Sequence, residues 1–270
     1  MSLVATISQV ESARDSIYVM HGTCEKYRAF HQHSKSQLTY MEGGPGYINL
    51  GGNFFVIPAR HYVWIPAGVK HSMMIGHSAA ICRTLYFSSN NDLKNEFYTK
   101  FGIYPINDLL DQMIRYSRQW HGHIFPRDIG YGFLQSIKDI LPQVSNQILS
   151  VSIPYTENSK MLKIITYMQD NLSENLTMLS IGARFGLSKR SLSRFFRSIL
   201  KVSFLQYLKL LRMAKAFDLI AANEYPLADV AYLCGYQSLS SFSNAFYQTT
   251  NIRPSRLFIS ALPELSPKSQ

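Results

Sequence analysis

Between residues 189 and 201 the chain carries Lys189, Arg190, Ser193, Arg194, Arg197 and Lys201. Residues 190, 193, 194 and 197 fall at i, i+3, i+4 and i+7, so on a helix they share one face. A guanidinium can form paired hydrogen bonds to O6 and N7 of guanine, and a serine hydroxyl can meet several base edges. The types and spacing suit a DNA major groove, with Arg190, Ser193 and Arg194 reading base edges. Lys189, Arg197 and Lys201 suit phosphates, which position the protein without specifying sequence. From Lys189 to Lys215 there are eight basic residues and no acidic one. Such a block suits a polyanion, nucleic acid or a membrane surface. A solvated basic face would have the same charge, and the surrounding pattern separates the two.

That pattern is a repeat. One segment reads SIGARFGLSKRSLSRFF over residues 180–196, and a second reads DVAYLCGYQSLSSFSNAF over residues 229–246. In each, a small residue (Gly182, Ala231) precedes a glycine (Gly186, Gly235) by four positions. A serine follows (Ser188, Ser238), and the second turn is one residue longer than the first. Leu192 and Phe196, like Phe242 and Phe246, stand four and eight after the serine, on one buried helical face. The small residue lets two helices approach closely at a corner. The glycine ends the first helix in a left-handed conformation, and the serine caps the next. Each segment is therefore a helix-turn-helix, about 178–200 and 227–250. On the second, the face opposite the core holds Leu239, Ser240, Ser243 and Asn244. Asn244 can pair with adenine, and Leu239 can touch a thymine methyl. No Arg or Lys occurs from Ser238 to Thr250, so the first unit is expected to supply most of the affinity.

Phe204 to Ala222 reads as one helix between the two units. At about 1.5 Å per residue it spans roughly 28 Å. Successive major-groove faces on one side of B-DNA lie about 34 Å apart. A spacer of this size can set two recognition helices into adjacent groove segments from a single chain.

On these residues the segment 158–260 resembles the AraC/XylS family of regulators. The family's ending appears as Gly235-Tyr236, Ser238, Phe242-Ser243, Ala245-Phe246, Ile252 and Pro254-Ser255. The resemblance implies a seven-helix DNA-binding domain that activates, or sometimes represses, transcription from promoter DNA in contact with RNA polymerase. Gly182 departs from the family's usual alanine, which should soften that helix by about 1 kcal/mol.

The whole chain fits two domains of ordinary size. Its 270 residues are 46% hydrophobic and 16% charged, a globular balance, with a net charge of +10. The excess is uneven: residues 1–150 hold 13 Lys+Arg against 10 Asp+Glu, and residues 151–270 hold 14 against 7. Cys24, Cys82 and Cys234 form no CxxC pair, which argues against a disulfide framework or structural zinc and for a reducing compartment. The first 20 residues lack a signal pattern, and no apolar run approaches the roughly 20 residues of a membrane span. A cytoplasmic protein is expected.

Residues 15–88 are rich in Tyr, Phe, Val, Ile and Gly. Breaks at Gly43-Gly44-Pro45-Gly46, Gly51-Gly52-Asn53 and Pro66-Ala67-Gly68 mark short strands of a sandwich or barrel. Helical periods follow over Asp92–Phe101, Asn107–Trp120 and Arg127–Leu141. The polar stretch Pro142–Pro154 is the expected boundary between domains 1–150 and 158–260. The expected fold is α+β: an N-terminal barrel with trailing helices, then an all-α double helix-turn-helix domain.

His31-Gln32-His33, Gln37, and His71 after Pro66-Ala67-Gly68 are similar to the two cupin motifs, in which two His, a Glu and a later His bind a metal. The stretch from His31 to Phe87 resembles the cupin-like sensor domain of many AraC/XylS members, which implies a homodimer. Gln37 at the carboxylate position is the poorer ligand, so no metal or other cofactor is assigned here. His31, His33, Gln37, Tyr40, Trp64 and His71 are instead expected to line a pocket for a small organic effector. Capping of strand ends by His31 and His33, with His71 in a turn, stays open beside it. The helix 107–120, with Leu109, Leu110, Met113, Ile114 and Tyr116, is a candidate dimer contact or a helix packed on its own barrel. A metal-dependent cupin enzyme is the alternative, which Gln37 disfavours; a protein-binding adaptor would leave the basic block unexplained.

Overall fold

Alternation of apolar and polar residues in the first half, and a helical period in the second, divide the chain into two kinds of structure. The computed structural model describes residues 3–23, 27–42, 46–58, 60–75, 81–145, 148–149 and 151–260. Cys24 and the Gly43-Gly44-Pro45 break lie outside the described residues, as does part of the 142–154 boundary. The chain forms two compact units, one of residues 1–51 and 55–150, the other of residues 52–54 and 151–270.

The first unit begins with helix α1 (Leu3–Glu11). Strands β1 (Ile17–Thr23), β2 (Tyr27–His31), β3 (Ser36–Glu42), β4 (Gly46–Leu50), β5 (Asn53–Ile57), β6 (His61–Ile65), β7 (His71–Ile75) and β8 (Ile81–Phe87) follow. After them come a one-turn helix α2 (Glu96–Thr99), β9 (Gly102–Pro105), α3 (Asp108–Tyr116), β10 (Gly122–Ile124) and α4 (Tyr131–Val144). One sheet runs β10-β1-β8-β3-β6-β9, and the other contains β5-β4-β7-β2 in that order. The two sheets and the helices that follow them make the β-rich N-terminal unit that was expected.

Strand alternation decides what each sheet face does. Leu38 pairs with Trp64, and Tyr40 with Tyr62, across β3 and β6. These side chains share a buried cluster with Leu110 and Ile114 of α3 and with Leu134, Ile137 and Leu141 of α4. Gln37 and Thr39 belong to the opposite face, where the Gln37 side chain bonds Thr39 and approaches Met73 of β7.

Three helical expectations change in detail. Over 92–101 the structure forms a 3-10 turn at Asp92–Lys94 and then α2, because the Asn95 side chain accepts the Phe97 N–H and starts a new helix. The helix expected over 107–120 becomes α3, ending at Tyr116 before a further 3-10 turn. The third begins at Tyr131, after Gly130 at φ 103°. Strands β9 and β10 were not expected; they join the two edges of the larger sheet.

The second unit carries the short strand β11 (Ser152–Pro154) and seven helices among the described residues. These are α5 (Ser159–Asp170), α6 (Met178–Phe185), α7 (Lys189–Ile199), α8 (Phe204–Ala222), α9 (Leu227–Leu233), α10 (Leu239–Thr250) and α11 (Pro254–Ser260). The α5 stripe Met161, Ile164, Ile165 and Met168 joins Ile181, Leu192, Phe196, Phe204 and Tyr207 in one core. Phe217 of α8 meets Phe246 of α10 at 5.0 Å between ring centroids. Five of these helices start where a side chain satisfies a first-turn N–H: Asn158, Thr177, Ser188, Ser203 and Ser238 all do so. Among the described residues, no helix is long and apolar enough to cross a membrane.

Candidate nucleic-acid interface and barrel site

The first helix-turn-helix is α6–α7. Gly186 adopts φ 65° and ends α6, and Ser188 then accepts the Ser191 N–H at the start of α7. Gly182 is buried at the corner, and a Cβ there would lie 2.4 Å from the Leu187 carbonyl oxygen. The expected softening by this glycine is therefore only half of its role, since it also permits the closest approach in the turn. Leu192 and Phe196 are fully buried, which turns the opposite face outward. Lys189, Arg190, Arg194 and Arg197 are exposed there, and Ser193 is half-buried. Lys201, at φ 60°, donates its Nζ to the Ser198 carbonyl and so closes the end of α7. Arg194 also borders a cleft of about 230 Å³ with Lys160, Ser191 and Ser198.

The second helix-turn-helix is α9–α10. Gly235 stands at φ 81°, and a Cβ there would meet the Leu172 carbonyl oxygen at 2.1 Å and the Arg212 guanidinium at 2.5 Å. Two constraints thus fall on one glycine: a left-handed backbone and no room for a side chain. Arg212 reaches from α8 to lie 5.3 Å from the centre of the Tyr236 ring. It ties the long helix to the turn of the second unit. On α10, Leu239, Ser240 and Asn244 are exposed and Ser243 is half-buried. Cys234, at the end of α9, is buried as a free thiol, and burial pushes it up to about 12.

In the barrel, β2 pairs with β7 so that His31 lies directly opposite His71, next to an irregularity in β2 between residues 28 and 31. Their ring centroids are 4.3 Å apart, and His33 stands 5.3 Å from His71. The Gly68 N–H donates to the His33 carbonyl, fastening the turn before β7 to the loop that carries His33. His33 and His71 are buried, and His31 is half-buried. Burial holds the His33 imidazole below its ordinary range, against hydrogen bonds to Gln37 and the Lys35 carbonyl that favour the charged form. Gln37 lies 2.9 Å from Nε2 of His33.

Four of the six expected pocket residues therefore come together: His31, His33, Gln37 and His71. Tyr40 and Trp64 do not join them. They lie on the other face of the same sheet, where the Trp64 indole donates to the Tyr98 carbonyl. An odd separation along β3 places Gln37 and Tyr40 on opposite sides. A cavity of about 470 Å³ is found elsewhere in this unit, lined by Asp15, Asn90, Tyr98, Tyr131 and Asp139 above the ion pair of Lys138 with Asp92. It includes none of the expected pocket residues.

Comparison with known proteins bears on both units. Residues 181–258 match a family model described as a helix-turn-helix domain, a span that takes in α7 and both halves of the second unit. Over 249 residues the chain is 25% identical to the HTH-type transcriptional regulator NimR of Escherichia coli K12, covering 92% of this chain and 88% of that one. The chain is a helix-turn-helix transcription regulator, similar to members of the AraC/XylS family. It is also 21% identical to the HTH-type transcriptional activator RhaS of Shigella sonnei, covering 83% of this chain and 85% of RhaS. The C-terminal domain of AraT from Geobacillus stearothermophilus is similar at 26% identity, with 42% of this chain and 94% of that one covered and a TM-score of 0.38.

Two features of the regulator escaped the reading of its sequence. Asn251 takes φ 57° and turns the chain back at the end of α10. Arg253 thereby comes to lie over the exposed Tyr247 ring, 4.5 Å from its centre. The second unit therefore has a cation beside its recognition helix, though none within it; the helix-stopping asparagine followed by arginine was the available signal. The other is Cys82, which is disulfide-bonded. That departs from the expectation drawn from cysteine spacing, because β1 and β8 pair as far as Gly22 and Cys82 and bring distant residues together.

Proposed function

We propose that this regulator reads two sub-sites of promoter DNA with a single chain, anchored by α7 and refined by α10. The observation that carries this reading is the exposed row Lys189, Arg190, Arg194 and Arg197 on α7, joined through the 19-residue α8 to a second recognition helix without a cation. Phosphate neutralisation dominates affinity for DNA, so the cationic helix contributes most of it. Arg190, Ser193 and Arg194 face base edges, and Lys189 and Arg197 face phosphates. Leu239, Ser240, Ser243 and Asn244 supply neutral readout on α10.

The barrel is the regulatory half in this reading, responding to a small effector. RNA polymerase is the protein partner, as the family resemblance implies, and the cytoplasm is the compartment. Leu109 and Tyr116 of α3 are exposed apolar residues, which supports α3 as a contact in a homodimer. The domain assignment that goes with this is 1–150 for sensing and 158–260 for DNA.

The test is selection of bound sequences from a random duplex pool, followed by affinity measurements on Arg194→Ala and Asn244→Ala. A larger loss for Arg194→Ala supports the anchored reading; an equal or larger loss for Asn244→Ala removes it. The three-histidine cluster favours a second reading, a metal-dependent cupin enzyme. Against it, among the described residues the cluster contains no carboxylate to move a proton, and Gln37 stands at that position.

A further inference from the structure

We propose that the N-terminal unit binds a small organic amine, as its ammonium cation, in the cavity edged by α4, α2 and the segments before β1 and after β8, apart from the histidine cluster.

The cavity measures about 470 Å³, within the range of sites that enclose small molecules. Its charged wall residues are Asp15, Asp92, Lys138 and Asp139, three carboxylates against one ammonium. The whole chain carries +10, so this negative hollow runs against the protein's overall balance. Lys138 is spent on Asp92, which also accepts from the Ser36 hydroxyl. Asp15 and Asp139 are exposed, and among the described residues neither forms an ion pair. Lys35 acts on Asp15, but its Nζ is bonded to the Arg14 and Ser16 carbonyls.

Neutral donors orient the two free carboxylates. Nδ2 of Asn90 donates to Oδ1 of Asp15 at 3.4 Å, and Nε2 of Gln135 donates to Oδ1 of Asp139 at 2.9 Å. An amide holds a carboxylate in place without neutralising it. Tyr131, Gln135 and Asp139 follow one another at i+4 spacing on α4, so one helix face presents a ring, an amide and a carboxylate together.

Two phenols complete the wall. The Tyr98 ring already has the Lys138 ammonium 5.1 Å from its centre, and its hydroxyl donates to the Lys138 carbonyl. Among the described residues no cation lies over Tyr131, so that ring is left for a ligand. The face of an aromatic ring attracts an ammonium group. Burial, then Asp139 and Asp92, push the Tyr98 phenol up to about 12, and burial, then Asp15 and Asp139, raise that of Tyr131. Both phenols therefore lie in the field of the carboxylates, and a cation entering the hollow meets the same field. Among the described residues the three carboxylates do not converge closely enough to hold one metal ion together. A ligand several atoms long reaches what a bare ion cannot.

The probe is 1,4-diaminobutane, whose two ammonium groups suit two free carboxylates; succinate, of similar length and opposite charge, is the control. Each is titrated by calorimetry into the full-length protein, without DNA, because the assignment does not rest on the regulatory reading. One diamine per chain is expected, and no binding of succinate. Asp15→Asn and Asp139→Asn keep the shape and remove the charge, and each is expected to weaken the diamine about fivefold. Tyr131→Leu is expected to weaken it about threefold. Circular dichroism checks that the variants fold; should one fail, the others decide. No saturable binding, an affinity that the folded variants leave unchanged, or succinate bound as tightly as the diamine overturns the proposal. So does full displacement of the diamine by Mg²⁺ at constant ionic strength, which would mark a site for an inorganic cation.

Discussion

A Cβ built on Gly182 would lie 2.4 Å from the carbonyl oxygen of Leu187, while Ala231 holds the matching position in the second helix-turn-helix. The two turns differ by one residue, and the shorter one is the one that requires glycine. The Leu187 N–H also donates to the Gly182 carbonyl, so the backbone of the turn is fixed against the helix at that point.

Gly182→Ala is therefore expected to destabilise the C-terminal unit, although alanine is better than glycine in a helix by about 1 kcal/mol. Forcing an atom against a main-chain carbonyl costs about 1–3 kcal/mol. The denaturation midpoint should fall; a rise would show that helix propensity outweighs the contact.

Arg253→Ala should weaken DNA binding without touching α10. Arg253 is held over the Tyr247 ring of the second recognition helix. If it meets a phosphate, the slope of log K against log salt should decrease by about one, with little change in sequence preference. Arg194→Ala, by contrast, should cost about 1–3 kcal/mol and relax preference at one base position. Binding isotherms at several salt concentrations separate the two.

Lys138 and Asp92 form a buried ion pair, their side chains 6% and 9% exposed. Lys138 also donates to the Ser88 carbonyl at 2.7 Å and stands 5.1 Å from the Tyr98 ring centre. Lys138→Met leaves Asp92 buried without its cation and should destabilise the barrel by about 3–5 kcal/mol. Adding Asp92→Leu to that variant should recover part of the loss. A double variant no more stable than the single one would remove the pair as the cause.

The Cys234 thiol, raised to about 12 from an ordinary 9.0 by burial, stays protonated in the folded protein at all moderate pH values. Alkylating reagents act on thiolates, so Cys234 should resist iodoacetamide at pH 8 and react on unfolding. Because its folded pKa is the higher one, its contribution to stability is full below about pH 9 and is lost as pH rises towards 12. Peptide mass analysis of labelled native and denatured samples reads the reactivity directly.

Most of the C-terminal unit is written locally. Ser188, Ser203 and Ser238 each cap a helix within three residues of themselves, and Gly186 and Asn223 end helices by taking positive φ. Helix α8 runs over Phe204–Ala222 as its apolar spacing requires, and the basic face of α7 follows from the burial of Leu192 and Phe196. These relationships reach no further than a few turns of helix, so residue type and spacing carry them.

The barrel depends on distant pairings. That Gln37 belongs with the histidines and Tyr40 with α3 and α4 follows from strand alternation once the sheet faces are known, and the sequence does not say which face the helices cover. His31 meets His71 because β2 pairs with β7 in one register, and a shift of a single residue would put them on opposite faces. Cys82 and Arg253 illustrate the same limit: each acquires its neighbour through a pairing or a chain reversal. The residue types for DNA binding could be read from their order, but the meeting of three imidazoles is a consequence of register, which is fixed by packing across both sheets.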